Sequence, residues 1–380
     1  MKVLVCLPDP RLGGPQKSAM DVAEVLSDKG IKTEFLVPQG HDRYPNTLEK
    51  KGFAVHQLDI GMISPLRNIS NNMRYVASFP KNVKKIKSLI HNESIDVVNA
   101  RSTLSLQSVG AAVSGEVPLV WHFNDATLPR PFVNIVSRAA KRYADEIVVS
   151  AENVKDHYFR NIEPTKIYPT VNKNKFDPGR IKPLSFESSI PLEGDSIKIG
   201  LVGNISPVKG YDTFIEAFDH IADEYPNTVS LIVGKKLSTR LNYLQNLQKQ
   251  ISRRKLENQI YFLGWKENIA GFLSAIDIFV LPSHSETGPM TLMEAMMMKK
   301  PIVTTNVGVV PEQLEDGEHA WIVDAGDTAQ LAAGMQTALE NQNEWEKIGK
   351  ASRELALNTF TANAAADRYE SVYRSAISNE

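Results

Sequence analysis

The chain has 380 residues, 42% hydrophobic and 23% charged, with a formal net charge of -1. That length exceeds one ordinary core and points to two domains. The near-neutral charge excludes a global attraction to nucleic acid or to anionic membrane, no apolar run reaches the length of a membrane span, and one cysteine, Cys6, rules out an internal disulfide and suits a reducing, cytoplasmic compartment.

The N-terminus is apolar only over residues 3–7 before Pro8, which reads as a first strand with Cys6 buried in it, not as a signal peptide. A loop containing Gly13 and Gly14 follows. A helix then carries Ala19, Val22, Ala23 and Leu26 on one face, and Gly30 supplies its stop. Residues 34–37 read as a strand, 81–91 as a helix, 96–99 as a strand, and 118–122 as a strand ending on His122. A helix over 133–143 and a strand over 146–150 complete the first half. Proline- and serine-containing residues 181–196 form the best linker.

The opening pattern returns at 197–202, again a strand, followed by a loop bounded by Gly203 and Gly210 and a helix with Phe214, Ala217, Phe218 and Ile221 on one face. A strand at 229–233, a helix at 240–254, a strand at 260–263, a helix at 269–275 and a strand at 276–281 come next. A helix starts near Pro289, because proline is favoured where the first N–H has no helical partner. The strand 302–304 follows, and a helix at 361–377 ends the chain. The alternation predicts an α/β protein with two Rossmann-like doubly wound domains, residues 1–180 and 197–360.

The residues able to do chemistry gather near the second helix start. Glu286 lies in the loop after the strand 276–281, and Glu294 follows eight positions later inside the helix. Free N–H groups of Met290, Thr291 and Leu292 at that helix start would attract an anion. Lys209, in the second glycine-bounded loop, is placed to neutralise phosphate. Taken singly, each residue has a plain alternative. Glu286 and Glu294 read equally as exposed acids, Lys209 as a solvated lysine, His122 as a structural histidine, and Gly13-Gly14 as a turn. The sequence has no metal-ligand constellation, no P-loop, and no complete G-x-G-x-x-G in its first half for a nicotinamide or flavin.

Read together, these segments resemble the retaining glycosyltransferases of family 4. The resemblance runs through Gly13-Gly14, Val120-Trp-His-Phe-Asn-Asp125, Ile147-Val-Val-Ser150 and Tyr168-Pro-Thr-Val-Asn172. It continues through Gly203 to Phe218 and is most specific from Pro282 through the E-x7-E pair Glu286 and Glu294 to Glu312. It implies the GT-B architecture, two Rossmann-like domains facing across a cleft, with the C-terminal segment 361–380 returning to the first domain. The activity implied is metal-independent transfer of a hexose, with retention, from a UDP- or GDP-sugar. The acceptor implied is a hydroxyl on a glycan or lipid-linked molecule, in surface polysaccharide, lipopolysaccharide or glycolipid assembly. No cofactor is implied beyond the nucleotide-sugar co-substrate.

By the same resemblance the catalytic residues are Glu286, His122 and Lys209. The donor is held by Gly13, Gly14, Gly203, Asn204, Lys209, Gly264, Trp265, Glu286, Gly288, Met290, Thr291 and Glu294. Glu286 would lie beside the sugar, Glu294 would take the ribose hydroxyls, Gly264 and Trp265 would meet the base, and His122 would approach the sugar from the first domain. Asn204 departs from the family, which usually has arginine there. A sugar-nucleotide epimerase of the same fold, or a nucleotide-binding scaffold without turnover, are the competing readings. Finally, residues 61–92 hold Arg67, Arg74, Lys81, Lys84, Lys85 and Lys87 with no acid, interleaved with Met62, Ile63, Leu66, Met73, Tyr75 and Phe79. That stripe is either a solvated face or a contact with the inner face of the plasma membrane.

Overall fold

The structure, a computed structural model, describes residues 1–40, 42–60, 69–186, 190, 194–235 and 240–378. It divides into one unit formed by Met1–Thr170 with Ala362–Glu380 and a second formed by Val171–Thr361.

In the first unit the strands are β1 (Lys2–Cys6), β2 (Lys32–Pro38), β3 (Ala54–Leu58), β4 (Val97–Ala100), β5 (Leu119–Phe123), β6 (Glu146–Val149) and β7 (Thr165–Lys166). The helices are α1 (Gly14–Asp28), α2 (Arg43–Lys50), α3 (Ile69–Asn92), α4 (Leu106–Gly115), α5 (Arg130–Tyr143) and α6 (Glu152–Tyr158). The strands form one sheet in the order β3-β2-β1-β4-β5-β6-β7. Every pair is parallel, as expected when apolar strands must be covered by helices on both faces. Alternation along β1 sorts the core. Val3, Val5 and Leu7 join a cluster with α1 residues, whereas Leu4 and Cys6 join the opposite cluster with residues of α3, α4 and α5. Burial pushes the Cys6 thiol up to about 12, so it is inert packing.

The second unit has β8 (Ile197–Val202), β9 (Thr228–Val233), β10 (Ile260–Gly264), β11 (Ile278–Leu281), β12 (Ile302–Thr305) and β13 (Trp321–Val323). Its helices are α7 (Tyr211–Ala222), α8 (Leu241–Arg253), α9 (Ile269–Ala275), α10 (Met290–Met297), α11 (Val310–Gln313), α12 (Thr328–Glu340) and α13 (Trp345–Thr359). The sheet order is β10-β9-β8-β11-β12-β13, again wholly parallel. The methionine-rich face of α10 is core: Met293, Met296, Met297 and Met298 are all buried, as suits a flexible gap-filling side chain.

The last helix, α14 (Ala362–Ser378), belongs to the first unit. Ala365, Ala366, Tyr369, Val372, Tyr373 and Ala376 enter the same cluster as α1. Lys29 reaches across to Asp367 at 2.6 Å and Glu370 at 2.9 Å. The unit boundary falls at Thr170 and Val171 rather than at 180. The segment 181–186, expected as linker, is docked on α9. Leu184 N–H donates to Gly271 O at 3.0 Å, and the rings of Phe186 and Phe272 stand 6.0 Å apart. Helix α3 starts at Ile69, earlier than the residue 81 expected, and runs through Pro80, which removes one N–H donor without ending it.

Candidate active site

The strand order of the second unit reverses between β8 and β11. In an open parallel sheet the loops leaving such a switch point diverge and leave a crevice for a ligand. The loops here are 203–210 after β8 and 282–289 after β11. Two glycines let them approach closely. Gly210 has φ +66°, and a Cβ on it would lie 1.9 Å from Pro282 O; Gly308 has φ +59°, and its Cβ would lie 2.3 Å from Thr287 O. No other residue fits either place. Backbone and side-chain hydrogen bonds pin the same loop. His284 N–H donates to Val208 O at 2.9 Å, and Thr305 Oγ1 donates to Ser283 O at 2.6 Å.

This clamp brings Lys209 and Glu286 together. Lys209 Nζ lies 2.5 Å from Glu286 Oε1, and Ser283 Oγ donates to that same oxygen at 2.9 Å. The two charged side chains keep 22% and 13% exposure, enough for a ligand to reach them and little enough for their charges to act strongly.

Beside them, α10 starts after Pro289, where the sequence places it. Leu292 N–H already donates to Pro289 O at 3.0 Å. This corrects the expectation that Leu292 offers a free donor, because the first turn tightens and consumes it. Gly288, Met290 and Thr291 are half-buried at this start, and Thr291 Oγ1 is enclosed with no hydrogen-bond partner among the described residues. Glu294 is half-buried one turn further on, between the fully buried Met293 and Ala295. Gly203 accepts from Tyr211 OH at 2.9 Å, and a Cβ at Gly234 would come within 1.9 Å of Gly203 O. Asn204 is exposed. Gly264 ends β10 in the left-handed region at φ +69°, and Trp265 after it is 57% exposed, an apolar ring left open at the same edge of the sheet.

Gly13, Gly14 and His122 belong to the first unit. Gly13 caps α1 with extended backbone, and its N–H donates to Gln16 Oε1 at 3.2 Å. His122 is 2% exposed. Its Nε2 sits 3.0 Å from Ser150 Oγ and its Nδ1 2.8 Å from Tyr369 OH. Burial, with the charge of Arg101 adding to it, holds the ring well below the ordinary histidine value, so it is neutral. Both nitrogens are engaged, so the direct sugar contact expected of His122 has no open atom to make it. The side chain instead braces β5 against α14. Sequence reasoning missed Asn124, half-buried just past β5. Its Nδ2 donates to Arg101 O at 2.9 Å, and its Oδ1 accepts from Ser150 Oγ at 3.1 Å. The period-two alternation that buries Trp121 and Phe123 on one face and His122 on the other was the available signal.

Of the basic stripe, Met62, Ile63, Leu66 and Arg67 lie outside the described residues. On α3, Met73 is 67% exposed and Val76 67%, whereas Tyr75 is buried and leaves the stripe. Arg74 pairs with Asp59 at 3.2 Å. No described helix is long and apolar enough to cross a membrane.

Two parallel Rossmann-like sheets, each reversing order next to its first strand, are the fold of the GT-B glycosyltransferases. Anabaena HepE in complex with UDP superposes with a TM-score of 0.83 at 22% identity, over 99% of this chain and 100% of that one. The model described as Glycosyltransferase Family 4 matches residues 12–172, and that described as Glycosyl transferases group 1 matches residues 185–355. The chain belongs to glycosyltransferase family 4. N-acetyl-alpha-D-glucosaminyl L-malate synthase of Bacillus anthracis is 21% identical, over 96% of this chain and 94% of its own length. D-inositol 3-phosphate glycosyltransferase of Streptomyces scabiei is 24% identical, over 96% of this chain and 87% of its own.

Proposed function

We propose that this glycosyltransferase moves a hexose from a nucleoside-diphosphate sugar, UDP- or GDP-linked, to a hydroxyl acceptor. Retention at the anomeric carbon and independence of a metal ion are part of the reading. The observation that carries it is the joining of Lys209, Glu286 and Ser283 at the β8/β11 switch point. As the bond from the anomeric carbon to the diphosphate oxygen breaks, negative charge grows on the leaving phosphate and positive charge on the sugar. Lys209 and the start of α10 answer the first, and Glu286 answers the second while orienting sugar hydroxyls. With no donor bound, Lys209 spends its charge on Glu286; an incoming diphosphate competes for it. Glu294 is assigned to the ribose hydroxyls, and Gly264 with Trp265 to the base.

The UDP bound in HepE supports the nucleotide part of this reading. We place the acceptor in glycan or glycolipid assembly at the cytoplasmic face of the membrane, with the exposed side of α3 as the contact. The competing scaffold reading draws on Asn204, which leaves the diphosphate one cation short. Incubation with a panel of sugar nucleotides separates the two. Steady release of nucleoside diphosphate that disappears in Glu286→Ala and Lys209→Ala supports the transferase. Tight nucleotide binding with no release supports the scaffold.

A further inference from the structure

The first unit has a switch point of its own, between β1 and β4. The residue that leaves β4 there is Arg101. Its backbone is held from both sides: Arg101 N–H donates to Cys6 O at 3.0 Å, and Asn124 Nδ2 donates to Arg101 O at 2.9 Å. Its side chain is only 7% exposed. The guanidinium carbon stacks 5.2 Å from the centre of the Tyr369 ring, which fixes its plane. Among the described residues it forms no ion pair and no side-chain hydrogen bond, and Nε is enclosed without a partner. A guanidinium is a rigid fork of five donors that cannot shed its proton. Buried without an anion it is destabilising, and ring stacking leaves its donors unmet.

The surroundings repeat the pattern. The groups that feel the charge of Arg101 are the phenols of Tyr44, Tyr369 and Tyr373 and the neutral ring of His122. The Tyr44 hydroxyl, fully buried, has no partner among the described residues. The loop that begins at Arg101 runs into Ser105 and Gln107, both buried. Ser105 Oγ and both amide atoms of Gln107 are likewise unpartnered among the described residues. These two line a separate, water-sized cavity with Cys6, Leu7, Pro8, Ile60 and Tyr75, and Arg101 is not part of its wall. Buried polar groups are almost always satisfied. A buried guanidinium and a buried phenol hydroxyl near it, both without a partner among the described residues, mark a place for an anionic, oxygen-rich ligand at the sheet's switch point.

We propose that Arg101 is the anion-binding residue of an acceptor site on the first unit, so that the acceptor carries a phosphate or carboxylate near its reacting hydroxyl. The guanidinium takes the anion in two-pronged fashion, and the Tyr44 hydroxyl supplies a further hydrogen bond. This rests on the glycosyltransferase reading, in which the donor occupies the second unit.

The test uses the full chain and inorganic phosphate as probe. UDP is titrated first, by calorimetry. Failure of UDP to bind sinks the donor reading, whereas UDP binding without phosphate binding sinks only the present one. Phosphate is then titrated into UDP-saturated protein, where the donor's diphosphate site is filled. Wild type binds phosphate, Arg101→Met binds it at least tenfold more weakly with UDP affinity unchanged, and Arg101→Lys falls between. Equal phosphate affinity in wild type and Arg101→Met overturns the assignment. Should Arg101→Met not fold, Arg101→Lys decides, because it keeps the charge and loses the fork; unchanged affinity in it is equally fatal. Glycerol 3-phosphate and phosphatidylglycerol vesicles then separate a soluble from a lipid-borne anion. Displacement of phosphate by either supports the site, and displacement by neither removes it.

Discussion

Lys209 Nζ lies 2.5 Å from Glu286 Oε1 across 77 residues of sequence. The contact exists because β8 and β11 are neighbours in the sheet while far apart in the chain. Lys209 ends the short turn after β8, and Glu286 rides the loop after β11. A cation and a carboxylate placed this way are a pair that a dianionic ligand can pull apart.

Exchange of either partner is expected to affect turnover and binding differently. Lys209→Met removes the phosphate's cation, so nucleoside diphosphate release falls about 10²–10³-fold and UDP binding weakens. Glu286→Gln keeps the shape and Ser283's partner but loses the charge, so release falls while UDP affinity stays near wild type. Parallel turnover assays and UDP titrations check this. Two variants with matching losses of affinity and no loss of turnover would falsify the roles given to them.

The clamp around the 282–289 loop makes a second expectation. Gly210→Ala places a Cβ 1.9 Å from Pro282 O at a φ of +66°, so either the loop or the β8 turn must move. The cost is about 1–3 kcal/mol, or roughly 2–12 °C in unfolding temperature for a unit of this size. Turnover drops with it because Lys209 is the adjacent residue. Gly194→Ala is the control, since a Cβ there meets nothing within 4 Å. Differential scanning calorimetry on both variants decides; an unchanged Gly210→Ala transition would show that the loop yields freely.

Much of this was legible from the sequence because the signals are local. Apolar runs such as 197–202 match the strand found there. Pro289 marks the start of α10, and the glycines of 203–210 announce a turn. What stayed hidden depends on partners distant in sequence. β13 is three residues long and β7 two, too short for a period to show, and each is stabilised by the strand beside it. His122 looked available because its strand ends near it; α14, 247 residues away, covers it with Tyr369. Arg101 resembled any polar residue after a strand, and only its burial under the same helix sets it apart.

His122 also gives the protein an acid-sensitive joint. Its pKa in the folded chain is depressed, first by burial and then by Arg101. Unfolded, it titrates near the ordinary histidine value of about 6.5. Below that pH the unfolded chain binds a proton that the folded one refuses, so stability is lost as pH falls from about 6.5 toward the folded value. The loss between pH 6.5 and 5.5 is about 1 kcal/mol from this group alone. Urea unfolding at both pH values should show a smaller pH-dependent loss in His122→Asn than in wild type. Identical losses in the two proteins would mean that the ring is protonated in the folded state.

Helix α14 supplies the last expectation. It follows the second unit in sequence and packs in the first. Tyr373 OH accepts from Asn99 Nδ2 at 2.6 Å, and Tyr369 OH meets His122 Nδ1 at 2.8 Å. Both rings are fully enclosed, stacked 5.6 Å apart, within the α1 core cluster. Removing one large buried aromatic costs about 3–5 kcal/mol, and a domain's whole stability is about 5–15 kcal/mol. Deleting residues 362–380 takes two such rings and four further buried side chains, a loss comparable to a domain's whole stability. The second unit, Val171–Thr361, keeps its own core. The truncated chain should therefore show one cooperative transition where wild type unfolds both units. Trypsin should digest residues 1–170 and leave a resistant fragment beginning near Val171. Tyr373→Phe, which removes only the hydroxyl and strands the Asn99 amide, should cost about 1–2 kcal/mol and leave both units folded. A truncated chain with its first unit still protease-resistant would mean that β1 and α1 close the core without α14.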